Sequence, residues 1–228
     1  MAAGEGRRLL PLSARWPKPV LPIDGRPVVA TLLRELRAAG CDRVTVVIGH
    51  LAEQVERLLG GGEGFDIELV YARQPRPEGS ADAVARALDT GATPPLLVAT
   101  ADTVFQRGDV ARFASAFATS EGAGAVAIRR DPPPTATRAA VEVDAGRVVA
   151  IGSGRETPFA HASLWVLGAP LAPYLAAVSG PPYELAEAYR HALVDGMELV
   201  AIEVGRTRDL TDPLDLVREN FAYLAGSE

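Results

Sequence analysis

The chain has 228 residues, 48% hydrophobic and 23% charged, with a net charge of −6, the balance of a globular protein long enough to bury a core. That charge argues against broad nucleic-acid affinity, which rests on neutralising many phosphates, and no run approaches the ~18 uninterrupted apolar residues of a membrane span. Cys41 is the only cysteine, which excludes an internal disulfide and suits a reducing, cytoplasmic setting, while His50, His161 and His191 lack any zinc spacing.

The first twenty residues are irregular and rich in proline. PVVATLLRELRAAG (27–40) then puts Val28, Val29, Leu32, Leu33 and Leu36 at helical spacing, with proline opening and glycine closing the helix. RVTVVIG (43–49) is an apolar, β-branched run that predicts a buried strand, and LAEQVERLL (51–59) a short helix stopped by Gly60, Gly61 and Gly62. IELVYA (67–72) predicts a strand, SADAVARALDT (80–90) a helix and PLLVATAD (95–102) another buried strand. DVARFASAFATS (109–120) is helical and GAVAIRR (124–130) extended. This alternation predicts a mostly parallel sheet covered on both faces.

Past residue 130 the pattern changes. AAVEVD and RVVAIGS, joined through Asp144-Ala145-Gly146, predict an antiparallel hairpin, and HASLWVL (161–167) a strand. Helices are expected near 170–178 and 183–195, a last strand at MELVAIEV (197–204) and a closing helix at DPLDLVRENFAYL (212–224). The expectation is a single α/β domain over 1–228, with a β-rich insertion in its second half.

Gly4-Glu5-Gly6 is the first feature that points to chemistry. It is not a dinucleotide fingerprint, because Leu9 stands where the third glycine belongs, and no Gly-Lys-Ser/Thr follows to make a Walker loop. Yet Arg7, Arg8, Arg15 and Lys18 crowd close behind it in an acidic chain. Glycines let backbone N–H groups approach phosphate oxygens, and fixed cations neutralise the charge, about four negative units for a triphosphate. Of the 23 basic residues, Lys18 is the only lysine. In a chain that uses arginine everywhere else, that position calls for a compact point charge rather than a planar guanidinium.

Gly4, Gly6, Arg8, Leu9, Pro11, Leu12, Ser13, Pro17, Lys18 and Pro19 together make a pattern that resembles the signature of sugar-1-phosphate nucleotidylyltransferases, the nucleotide-sugar pyrophosphorylase or NTP_transferase family. The resemblance implies a Rossmann-like, three-layer, doubly wound α/β fold with a mostly parallel mixed sheet and a β-rich acceptor-binding insertion. It divides the chain into a nucleotide-binding half (1–130) and an acceptor-binding half (131–228). It also implies a central apolar strand ahead of the glycine loop, which here has only Met1, Ala2 and Ala3 before it. The expectation is therefore that the first central strand is truncated and that the true start lies several residues upstream.

Three further stretches agree with the resemblance. In YARQPRPEGSADAV (71–84), Gln74 and Gly79 hold the spacing at which the family's glutamine faces the nucleobase, with a helix beginning at Ser80. An amide offers a base edge one donor and one acceptor side, glycine would let the base ring lie against the backbone, and Ser80 is also a natural helix cap. Similarity to the thymidylyltransferases in QPxPxG implies UTP or dTTP. Asp102 ends the apolar run at 95–102, where open α/β sheets bind ligands, and matches the family's magnesium-binding aspartate, although a turn aspartate is common at a strand end. Asp209 matches the second metal-binding aspartate, ahead of a helix capped by Thr211 or Asp212 with Pro213 in its first turn. Two carboxylates from distant segments suit Mg²⁺ bound together with phosphates.

The implied reaction moves NMP from an NTP to a phosphorylated small-molecule acceptor, a sugar 1-phosphate by resemblance, and releases pyrophosphate. Arg8 would hold the β- and γ-phosphates, Lys18 would bridge the α-phosphate and the acceptor phosphate, and Ala3, Gly4, Gly6, Gln74, Gly79 and Ser80 would bind the nucleotide. The acceptor side departs from the family pattern. Ala139 and Ala140 replace the glycine before the VEVD strand, IGSGRETP replaces Glu-Lys-Pro, and His161-Ala162-Ser163 replaces Asn-Ala-Gly. Glu142, Arg155 and His161 are the acceptor-binding candidates. Two alternatives stay open, a nucleotide-binding regulatory homologue impaired in catalysis and a transferase for a non-sugar phosphate alcohol. A homo-oligomer also stays open.

Overall fold

The computed structural model describes residues 1–131, 133–134 and 139–221. Its first regular element is a small hairpin of β1 (Pro22–Ile23) and β2 (Arg26–Pro27), turned by Asp24 and Gly25 at positive φ. Helix α1 (Val28–Ala38) follows and buries Val29, Leu32, Leu33 and Leu36, the apolar stripe of its sequence. β3 (Arg43–Ile48) and β4 (Glu68–Arg73) pair in parallel across α2 (Ala52–Leu59). Then come α3 (Ser80–Asp89), β5 (Leu96–Ala99), β6 (Thr103–Val104), α4 (Asp109–Ala118) and β7 (Gly124–Arg129).

The second part begins with the antiparallel hairpin β8 (Val141–Asp144) and β9 (Arg147–Ile151), whose turn holds Ala145 and Gly146 at positive φ. β10 (Ala160–Leu167), α5 (Leu185–Val194), β11 (Leu199–Glu203), β12 (Arg208–Asp209) and α6 (Pro213–Asn220) complete the order. The helix expected near 170–178 is a 3-10 segment, Ala169–Ala177, since Pro173 lacks the N–H that an α-helix requires there. The end of the closing helix expected to 224 lies outside the described residues.

Six strands form one sheet in the order β5-β10-β7-β11-β9-β8. β5, β7 and β11 run one way, while β10 is inserted antiparallel between β5 and β7. Along β7 and β10 successive side chains face opposite sides. Ala125, Ala127, Leu164 and Val166 join the core beneath α1, α2 and α4. Val126, Ile128, Trp165 and Leu167 join the core beneath α3 and α5. This is the doubly wound, three-layer, Rossmann-like α/β architecture.

Met1–Ala3 link β3 to β5. Ala2 bridges Ile48 in parallel and its N–H donates to the Val47 carbonyl (2.7 Å). On the other side the Met1 ammonium donates to the Ala99 carbonyl (2.8 Å), and the Ala101 N–H to the Met1 carbonyl (2.8 Å). The three residues thus occupy a central strand position. In line with them, between β3 and β5, lies a cavity of about 410 Å³ walled by Val44–Val47, Leu96–Ala99 and apolar residues of α1 and α3.

Candidate active site

Arg7–Leu9 and Leu12–Ala14 are short 3-10 turns that fold the first loop back on itself, so that Lys18 returns to its start. Gly6 sits at φ +62°, and a Cβ there would lie 3.4 Å from that of Ser13, so both conformation and space favour glycine. Gly4 has open space around its Cα and keeps the backbone approachable. Ala3, Gly4, Gly6, Arg8 and Lys18 line one cavity of about 410 Å³, together with Gln74, Gly79, Ser80 and Asp102. A single cleft therefore gathers residues that the sequence spreads over a hundred positions.

Its charges are organised. Lys18 Nζ lies 2.6 Å from Asp102 Oδ2, with the two side chains 13% and 33% exposed. Burial alone would raise the Asp102 carboxyl, but the charge and hydrogen bond of Lys18, the Thr100 hydroxyl and the nearby chain-end ammonium outweigh it and hold the group below the ordinary carboxylate value. Asp102 is therefore ionised at neutral pH. Arg8 is exposed at the rim and makes no hydrogen bond or ion pair among the described residues. Ser13, buried beside Gly6, has a hydroxyl with no partner among those residues.

The structure brings Asp209 close along the chain. β12 pairs with β6 so that Asp209 stands opposite Thr103, the neighbour of Asp102. Leu210 and Thr211 line the cleft, whereas Asp209 does not. Asp212 caps α6, and the Asp215 carboxylate accepts from Thr211 N–H (2.8 Å) and Asp212 N–H (3.0 Å), which fixes this corner. No cluster of three or more His, Cys, Asp or Glu suited to a metal occurs among the described residues. Asp102 is an ionised oxygen donor facing the cleft, the donor type that a hard cation bound together with phosphate draws on, while Asp209 stands outside the cleft lining.

Two residues have other reasons than the sequence suggested. A Cβ on Gly79 would fall 2.3 Å from the Tyr183 carbonyl oxygen, and φ there is +113°. The glycine therefore admits the backbone of a distant segment. Ser80 does not cap its own helix, whose N-cap is Gly79. Its hydroxyl accepts from Leu185 N–H (2.7 Å) and donates to Glu184 (2.7 Å), tying α3 to the start of α5. Pro182 and Glu184 thereby line the cleft. No local pattern betrayed them, since they lie more than a hundred residues from Gly79.

The acceptor-side candidates lie apart from this cleft. The Ser153 hydroxyl donates to Glu142, and Arg155 approaches Glu142 at 3.4 Å. Arg155, with Ala139, Ala140 and Thr157, lines a separate, open cavity of about 830 Å³. His161 lies on β10, its Nδ1 accepting from Ser163 N–H (3.3 Å) and its ring 5.4 Å from that of Trp165. Burial and the Arg129 charge push its pKa down to about 4, so its ring is neutral at pH 7. Ser163 adopts φ +59° in a bulged stretch of β10, the conformation that glycine adopts most freely.

The nucleotidyl transferase family model matches residues 1–150. The chain is 32% identical over 124 residues to N-acetylmuramate alpha-1-phosphate uridylyltransferase of Neisseria meningitidis serogroup B, covering 53% of this chain and 53% of that one. It is 39% identical over 72 residues to UTP–glucose-1-phosphate uridylyltransferase of Synechocystis sp., covering 32% of this chain and 19% of that one. The chain thus spans less than two thirds of the length of these curated relatives. The inositol-1-phosphate CTP transferase structure from T. maritima matches with a TM-score of 0.80 over 99% of this chain and 94% of that one, at 19% identity, a likeness of fold.

Proposed function

The chain belongs to the nucleotidyl transferase family, and on that premise we propose that it transfers a nucleotidyl group from UTP or dTTP to a sugar 1-phosphate. The observation that carries the reading is the single cleft in which Arg8 has no partner among the described residues, Lys18 meets an ionised Asp102, and glycine-rich backbone lies open. An acceptor phosphate oxygen attacks the α-phosphorus in line. A new P–O bond forms, the α–β bridge breaks, and pyrophosphate leaves with the bonding electrons. A phosphate monoester is already ionised near neutral pH, so no general base is needed, in keeping with a neutral His161 outside the cleft.

In this scheme Arg8 holds the β- and γ-phosphates of the leaving group. Lys18 brings the two anionic reactants together by sitting between the α-phosphate and the acceptor phosphate, and Asp102 aims its ammonium. Asp102 and Asp209 would hold Mg²⁺, which when bound neutralises phosphate charge. Residues 1–130 serve the nucleotide and 131–228 the acceptor, with the segment around Glu184 as a shared wall. The lone, half-buried thiol of Cys41 suits a cytoplasmic setting.

The test is pyrophosphate release with each NTP, Mg²⁺ and a panel of sugar 1-phosphates, cyclitol phosphates and phosphonates. The expected outcome is release with UTP or dTTP and a sugar 1-phosphate. Release only with a cyclitol phosphate or phosphonate reassigns the acceptor. Tight NTP binding without turnover across the panel makes the protein a nucleotide-binding regulator and overturns the enzymatic reading.

A further inference from the structure

The turn after β4 contains an arrangement that the transfer reaction does not itself require. Gln74 is 4% exposed, and what it exposes faces the cleft. Its Nε2 donates to the Gly79 carbonyl (2.9 Å) and to Asp82 Oδ2 (2.7 Å), so both amide hydrogens are engaged within the protein. Asp82 also accepts from Arg86 Nε at 2.6 Å, one helical turn along α3, and Arg86 approaches Glu78 at 3.6 Å. A carboxylate that takes its hydrogen bonds from arginine and an amide N–H serves as an acceptor. Turning the Gln74 amide over would set Oε1 against Asp82 Oδ2, oxygen facing oxygen. The amide therefore has one orientation, and its Oε1, which has no donor among the described residues, is the atom left for a ligand.

We propose that Asp82 is a positioning residue for base selection, locking Gln74 so that its carbonyl oxygen accepts from the ring N3–H of a keto pyrimidine. This rests on the reading of the cleft as a nucleotide site and deepens it. Uracil and thymine carry a hydrogen on N3. Cytosine carries a bare lone pair there, which would face the lone pairs of Oε1. A buried acceptor left without its donor costs about 1–3 kcal/mol, which corresponds to roughly ten- to hundredfold in affinity. The selection lies in the fixed orientation of the amide, because a glutamine free to turn offers an amide N–H to cytosine N3 equally well.

The test is equilibrium titration of the full chain with UTP and with CTP, without acceptor, in wild type and Asp82→Asn. Wild type is expected to bind UTP at least about tenfold more tightly than CTP. In Asp82→Asn a neutral amide lets Gln74 turn over, and the UTP-to-CTP ratio is expected to fall most of the way to unity while the melting temperature moves little. Should Asp82→Asn not fold, Arg86→Gln, which frees the carboxylate from its anchor, is expected to lower the same ratio by a smaller factor. A wild type that prefers CTP or binds both equally overturns the proposal, as does a folded Asp82→Asn with the wild-type ratio. A chain that binds no nucleotide overturns the nucleotide-site reading itself, so the two failures are distinguishable.

Discussion

The first loop and the hairpin of β8 and β9 are built to opposite plans. In the loop, Arg8 has no partner among the described residues and Lys18 is held at 2.6 Å by a carboxylate that also faces the cleft. Around the hairpin, the cation Arg155 is 80% exposed and turned toward Glu142, with Ser153 on the same carboxylate. One side sets an exposed arginine and a part-buried lysine–aspartate pair on the same cleft. The other holds its charge in internal pairs, which an acceptor must break or bypass. Preorganised charge is what accelerates a transfer, whereas a paired and exposed arginine contributes little until it is recruited.

Lys18→Ala tests this contrast most severely. It removes the part-buried cation proposed to lie between the two reacting phosphates, and kcat is expected to fall about a thousandfold, with Lys18→Arg losing at least about tenfold because a planar fork does not fit the same point. Full activity in the arginine variant would remove the special place of this lysine. Next in size is Gly79→Ala, which drives a Cβ into the Tyr183 backbone. A loss of about 3 kcal/mol, read as a fall in Tm of roughly ten degrees, is expected from strain and overpacking.

Arg8→Ala and Arg155→Ala put the two plans side by side. Arg8 has no partner to lose among the described residues, so stability should hold within about 0.5 kcal/mol while KM for the NTP rises about tenfold or more. Arg155→Ala should leave the NTP constant alone and raise only the acceptor KM, by a few-fold. Equal effects of both on the NTP would erase the distinction.

A further effect concerns pH. His161 has a folded pKa of about 4 against 6.5 when unfolded, so between those values the unfolded chain binds more protons and stability rises with pH. The wild-type Tm should climb from about pH 4 to 6.5, and the climb should flatten in His161→Gln.

What the sequence disclosed follows the same division. Gly4, Gly6, Lys18, Gln74 and Asp102 stood out in the sequence by residue type at fixed local spacing, and all of them line one cleft. The helices and central strands were legible from their apolar periodicity. What stayed hidden depends on pairs remote in sequence. The two-residue ladder of β6 and β12 that carries Asp209 has no pattern of its own. Gly79 makes room for Tyr183, and Ser80 binds the first N–H of α5, a hundred residues on. On the acceptor side, a serine at φ +59° and a histidine with a lowered pKa result from a bulge and from burial, neither of which a string of residues displays.

The central claim is that the cleft moves a nucleotidyl group. It is tested most directly with NTP labelled at the α-phosphorus, supplied with Mg²⁺ and the best acceptor of the panel. The account predicts that the label moves to the acceptor and that the pyrophosphate released carries none. Label recovered as free NMP, or an acceptor that gains unlabelled γ-phosphoryl, would contradict it.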